Sequence, residues 1–148
     1  MSAVSAYPKA YIDACRGYVD HQISTFSALA TRIDAFADSV PSFVSLLHGL
    51  ETSFFNDLVV VLDAQFVHRT RRIEGRDSNV LNEVRLLAAS LMTNGGVLMH
   101  DESLMVDPTT SILGIAFGDA IALNRTTFPI LAEVFFAQIT AMDEHSDH

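Results

Sequence analysis

The stretch Asn82-Glu83-Val84-Arg85-Leu86-Leu87-Ala88-Ala89-Ser90-Leu91-Met92-Thr93-Asn94-Gly95-Gly96 decides how this chain is read. Val84, Leu87, Leu91 and Met92, with Val80 before them, recur three and four positions apart and predict the core stripe of an α-helix. Asn79 or Ser78 stands where an N-cap side chain accepts a hydrogen bond from a free first-turn N–H. Asn94-Gly95-Gly96 is a stop signal, because Asn and Gly tolerate the left-handed backbone that a C-terminal cap requires. Asn82, Ala89 and Thr93 form a second stripe, bordered by Leu86 and Arg85, on the side away from Val84 and Leu91.

Working outward, Ile12, Cys15, Val19, Ile23, Phe26 and Ile33 keep helical spacing with Asp13, Arg16, Asp20 and Ser24 opposite, so residues 9–33 predict an amphipathic helix. Residues 34–41 read as a link. Pro41 opens a run with Phe43, Leu46, Leu47 and Leu50 in which Gly49 predicts a break, leaving a short or kinked second helix. Residues 51–73 place Phe54, Phe55, Leu58, Leu62, Phe66 and Ile73 on one broad face, which predicts a central, mostly buried helix. After Gly96, residues 104–106, 111–117 and 120–123 are short β-prone runs separated by Asp107-Pro108 and Gly118-Asp119, the pattern of a small antiparallel hairpin or three-stranded meander. Thr126 or Thr127 then caps a last helix with Pro129 in its first turn, and residues 130–142 are apolar almost all round. The expected architecture is mainly α: a bundle of four to five helices with a small β appendage before the last helix. It forms one domain over residues 1–148, with flexible ends at 1–8 and 143–148.

Composition narrows the function classes. At 148 residues, nearly half of them apolar and with ten Phe, the chain can bury a core without metals or cross-links. Cys15 is the sole cysteine and falls on a helical face with Tyr11, Tyr18, Val19, Gln22 and Phe26, so it reads as a buried core thiol and excludes an internal disulfide. No apolar run approaches the roughly 20 residues of a membrane span. No basic, apolar and small-residue series marks export at the N-terminus, which makes the cytoplasm the expected location. A net charge of −9 repels polyphosphate at long range, so nucleic acid is an unfavourable partner except at the local cluster Arg69, Arg71, Arg72 and Arg76. No Glu-x-x-His or His-x-x-x-His occurs, and neither a Gly-x-Ser-x-Gly elbow nor a P-loop is present, so no metal, cofactor, serine hydrolase or P-loop chemistry is expected.

Residues 82–96, together with the preceding long helix and the β-prone stretch that follows, resemble the HEPN family over roughly residues 54–123. These are helical domains, many of them metal-independent ribonucleases. Family members of this type read as an acidic residue, Arg, a few apolar positions, Arg-Asn, three residues, and His-Asn-Gly-Gly before a β-hairpin. Glu83, Arg85 and Asn94-Gly95-Gly96 fit that frame, whereas Ala88 and Ala89 replace the Arg-Asn pair and Thr93 replaces the histidine. The family's histidine handles a proton at the ribose 2′-hydroxyl, work for a group that titrates near neutral pH, and threonine has no such group. The resemblance also implies a homodimer, with the Asn82, Ala89 and Thr93 stripe at a two-fold axis. Solvent exposure of that stripe is the plain alternative.

His68, Arg69 and Arg72 on the preceding helix, with Arg85, Asn82, Thr93 and Asn94, make a candidate ligand site, since guanidinium groups donate paired hydrogen bonds to a phosphate or carboxylate. Internal ion pairs with Glu74, Asp77 or Glu83 would use the same arginines without a ligand. Three readings follow, and the residues lean against an enzyme. The first is a non-catalytic HEPN-like protein that dimerises and binds an anion or a protein partner. The second is a ribonuclease in which His68 or His100 works with Arg69, Arg72 or Arg85. The third is a purely structural oligomer completed by its apolar last helix.

Overall fold

The computed structural model describes residues 7–66, 79–101 and 109–146. Four α-helices lie among them: α1 over Lys9–Asp34, α2 over Pro41–Gln65, α3 over Val80–Thr93 and α4 over Thr127–Ser146. Contacts fix their directions. Tyr11 bonds the Gln65 carbonyl while Phe26 meets Phe54 and Phe55, so α1 and α2 run antiparallel. Phe55 meets Phe128 and Phe66 meets Phe136, so α4 runs parallel to α2. α3 packs on α2 and α4.

The amphipathic reading of α1 holds, with Ile12, Cys15, Val19, Phe26 and Ala30 buried. Tyr11 and Tyr18, placed with Cys15 by their spacing, are 41 % and 51 % exposed at the edge of that face. The break expected at Gly49 does not occur, and α2 passes through it as one helix. A single Gly costs a helix only about 1 kcal/mol. Burial of Leu47 and Phe55, one on each side of the glycine, outweighs that cost, each such buried apolar side chain contributing about 1.5–3 kcal/mol. The described part of α2 ends at Gln65, and the expected continuation over residues 67–73 lies outside the described residues.

Two aromatic groups fill the bundle. Phe26, Phe54, Phe55 and Phe128 meet near one end, while Tyr7, Tyr11, Phe66, Phe135 and Phe136 meet at the other. Many of these contacts are edge-to-face, the arrangement in which the positive rim of one ring meets the negative face of the next. Tyr7, inside the stretch expected to be a flexible end, is buried in the second group. The last helix is a core helix, burying Phe128, Leu131, Ala132, Phe135, Phe136, Ile139 and Met142.

Helix α2 is central as expected, packing on α1, α3 and α4, and α3 is enclosed at its start: every residue from Val80 to Ala88 is buried except half-buried Arg85. Asn79 caps it as predicted, its Oδ1 accepting from the N–H groups of Leu81 and Asn82 at 2.9 and 3.1 Å. It stops as predicted too, with Gly95 at φ 64° and Gly96 at φ 79°. Met92, assigned to the core stripe, is instead 70 % exposed because it sits in the last turn, beyond the packed half of the helix.

The expected β hairpin or meander is not seen among the described residues. Residues 96–98 and 118–121 make one isolated antiparallel bridge, Val97 with Ala120, and the 104–106 run lies outside the described residues. The reason is that helix side chains take the backbone groups a ladder would pair. Asn56 of α2 donates to the Ile121 carbonyl and accepts from the Leu123 N–H, both at 3.0 Å. Glu83 of α3 accepts from the N–H groups of Ile112 and Leu113 at 2.9 and 3.3 Å. The cap of α4 also differs from expectation. Asn124 Oδ1 accepts from the Thr126 and Thr127 N–H groups while Thr127 Oγ1 accepts from the Asn124 N–H, a reciprocal capping box centred on Asn124.

Candidate functional site

Around the motif helix, three polar residues lie in the core beside Leu86 and Leu87: Asn82 at 1 % exposure, Glu83 at 5 % and Ser90 at 0 %. A carboxylate at such depth is tolerated only when hydrogen-bonded. Glu83 meets that condition by gathering the incoming loop, accepting from the Ser111 hydroxyl and from the Ile112 and Leu113 N–H groups. Ser111 Oγ accepts in turn from the Gly114 N–H at 2.9 Å. Leu86, Leu87, Leu98, Ile115 and Phe117 wall a small space beside this carboxylate, about the size of one water. His100 stands edge-on to Phe117, ring centres 4.9 Å apart. The arrangement fastens a loop to a helix. Its carboxylate and hydroxyl are already joined to each other and to backbone.

The motif positions have the same structural character. Ala88 is buried and Ala89 half-buried. Thr93 is exposed and its hydroxyl donates to the Ala89 carbonyl at 2.7 Å. Asn94 Nδ2 donates to the Val97 carbonyl at 2.7 Å, and the Ser90 carbonyl accepts from the N–H groups of both Asn94 and Gly96. Ser90 Oγ accepts from the Met99 N–H at 3.1 Å. The stripe expected at a two-fold axis or in solvent is therefore divided: Asn82 and Leu86 are covered by the chain's own fold, and only its C-terminal end emerges. Of the candidate anion site, the structure places Asn82 in the core, Arg85 half-buried, and Thr93 and Asn94 exposed at the helix end. His68, Arg69 and Arg72, with Arg71 and Arg76, lie outside the described residues.

Two features went unread in the sequence. One is a polar tie. Arg125, just before α4, sets Nε 3.0 Å from Glu51 Oε1 and Nη1 3.6 Å from Asp34 Oδ2, joining the end of α1, the middle of α2 and the start of α4. It meets Glu51 as an ion pair rather than as a linear hydrogen bond. The other is an apolar face on the α1–α2 hairpin. Ile33, Phe43, Leu46, Leu47 and Leu50 line a groove between the two helices. Phe43 is 54 % exposed, Leu46 70 % and Leu50 50 %, with Leu29 at 45 % one turn before Ile33 and Phe36 at 62 % in the connecting turn. The periodicity of Phe43, Leu46, Leu47 and Leu50 was legible, but only Leu47 faces the chain's own core.

At the opposite end of α1, burial first, and then the hydrogen bond and charge interaction with the neighbouring Cys15 thiol, push the Tyr11 phenol up to about 12. Its ring is partly exposed, but its hydroxyl is turned onto the Gln65 carbonyl. Burial also raises the Cys15 thiol, against a smaller lowering by the Tyr11 hydrogen bond. A thiol held protonated in an apolar setting is a poor nucleophile. Among the described residues no three His, Cys, Asp or Glu side chains gather as metal ligands, and no helix is long and apolar enough to cross a membrane. Compared with known proteins, the chain matches no family model, no curated protein and no solved structure.

Proposed function

We propose that this chain is a non-catalytic, HEPN-like helical protein that works by associating with protein, a second copy included, and not by turning over a substrate. The observation that carries the reading is the apolar face of the α1–α2 hairpin, where Leu29, Phe36, Phe43, Leu46 and Leu50 stay in water around one groove. Exposed apolar patches of that kind mark interaction sites. The side chains at the motif positions support the same reading, since Glu83, Thr93 and Asn94 bond the backbone of their own fold. Incubation of the purified chain with structured RNA in the absence of metal tests it. The RNA is expected to remain intact. Cleavage that disappears in the His100→Ala variant overturns the reading in favour of an enzyme with a relocated histidine.

A further inference from the structure

At about 200 Å² for a large side chain, the exposures of Leu29, Phe36, Phe43, Leu46 and Leu50 leave on the order of 550 Å² of apolar surface on one side of the hairpin. A standard-size interface buries about 800 Å² on each partner, and homodimer interfaces are about 65 % apolar, so a stable dimer needs close to this amount on each copy.

Exposed charges of both signs border the face: Arg32, three positions after Leu29 on α1, Asp38 in the connecting turn, and Asp57, in line with Leu50 two turns further along α2. A second copy, turned about a two-fold axis parallel to the helices, sets each α1 over the other copy's α2 and covers the apolar groove of each with the other.

We infer that the α1–α2 hairpin is a self-association surface, on which a second copy lays its own hairpin to form a four-helix layer between protomers. This rests on the reading that the chain works by protein association, and it moves the contact from the motif helix to the hairpin. The motif helix cannot serve over its first half, where its own fold already covers Asn82 and Leu86.

Electrostatics gives the association a recognisable signature. Two copies of net charge −9 repel at long range, and salt screens that repulsion beyond about 10 Å, so dimerisation tightens as salt rises to about 0.1 M. A basic partner would show the opposite trend.

Sedimentation velocity of the full chain across the micromolar range, at low and moderate salt, tests the inference. The wild type is expected to dimerise, more tightly at the higher salt. Leu46→Glu, and separately Phe43→Ser, should weaken the dimer about 100-fold with the helical circular dichroism unchanged, because both side chains project from the face. Met92→Glu, equally exposed but on α3, should leave it intact. A wild type that stays monomeric throughout, or a dimer that survives both hairpin substitutions, overturns the proposal. A monomer that instead binds a synthetic Lys- and Leu-rich helical peptide, more weakly at high salt and not at all in Leu46→Glu, also overturns it but leaves protein association standing. RNA cleavage overturns that broader reading independently of oligomeric state.

Discussion

Replacing Glu83 by Gln changes one oxygen to an NH₂ and leaves the volume almost the same. In the native fold Oε1 accepts from the Ser111 hydroxyl and the Leu113 N–H, and Oε2 accepts from the Ile112 N–H. The single amide oxygen can keep the first pair, but the amide nitrogen then points a donor at the Ile112 N–H. One charge-assisted hydrogen bond, worth about 1.5–3 kcal/mol, is lost, and a part-buried donor is left opposed at about 1–3 kcal/mol. The two losses overlap, since Ile112 is partly exposed and its loop can shift, so the expected destabilisation is about 2–4 kcal/mol. For a chain of this length that lowers Tm by about 5–15 °C. Urea unfolding followed by circular dichroism measures the first quantity, and amide exchange at Ile112 and Leu113 locates it. Asp57→Asn, which neutralises an exposed carboxylate, serves as the control and should change stability by less than about 0.5 kcal/mol. A Glu83→Gln protein as stable as the wild type, with the Ile112 and Leu113 amides still protected, would show that the carboxylate does not fasten the loop.

Asn56 is expected to behave as a second fastening. Asn56→Asp retains an acceptor for the Leu123 N–H but sets an anion against the Ile121 carbonyl, and equilibrium unfolding should show a loss of about 1–3 kcal/mol. Arg125→Met leaves the Glu51 carboxylate, only 10 % exposed, without its cation; discounted for the partial exposure of Arg125, the loss should be about 2–4 kcal/mol, and Glu51→Leu in the same chain should restore most of it. Tyr11 supplies the pH test. Its phenol binds the proton more tightly in the folded state, so its contribution to stability is complete below the ordinary tyrosine value near 10 and is lost as pH rises through about 12. Ultraviolet titration of tyrosinate in the folded chain should show a late-titrating phenol that Tyr11→Phe removes; its absence from the wild type would contradict the burial argument.

How much of this was legible beforehand depended on the range of the interactions. The span of α1, the Asn79 cap and the Asn94-Gly95-Gly96 stop follow from spacing, side-chain capping and glycine's access to positive φ, all set within a few residues of the chain. The burial of Cys15 was legible for the same reason. Gly49 misled because a local penalty of about 1 kcal/mol was outweighed by packing on both sides of it. The β-prone runs misled because propensity records how well side chains suit a pleated surface, not which groups will accept the backbone hydrogen bonds. Asn56 and Glu83, on separate helices and 65 and 28 positions from their principal partners, supplied those groups.

The sequence by itself therefore determined a helical chain, the capping of its motif helix and a threonine, which has no group titrating near neutral pH, at position 93, since each is a matter of residue identity or of neighbours along the chain. Only the tertiary structure decided that Glu83 fastens a loop, that Asn82 and Leu86 are covered by the chain's own fold, and that Phe43, Leu46 and Leu50 face water although their spacing reads as core. Helical periodicity identifies an apolar stripe but not what covers it. That depends on how far the neighbouring helices extend, and here they leave the end of the α1–α2 hairpin uncovered.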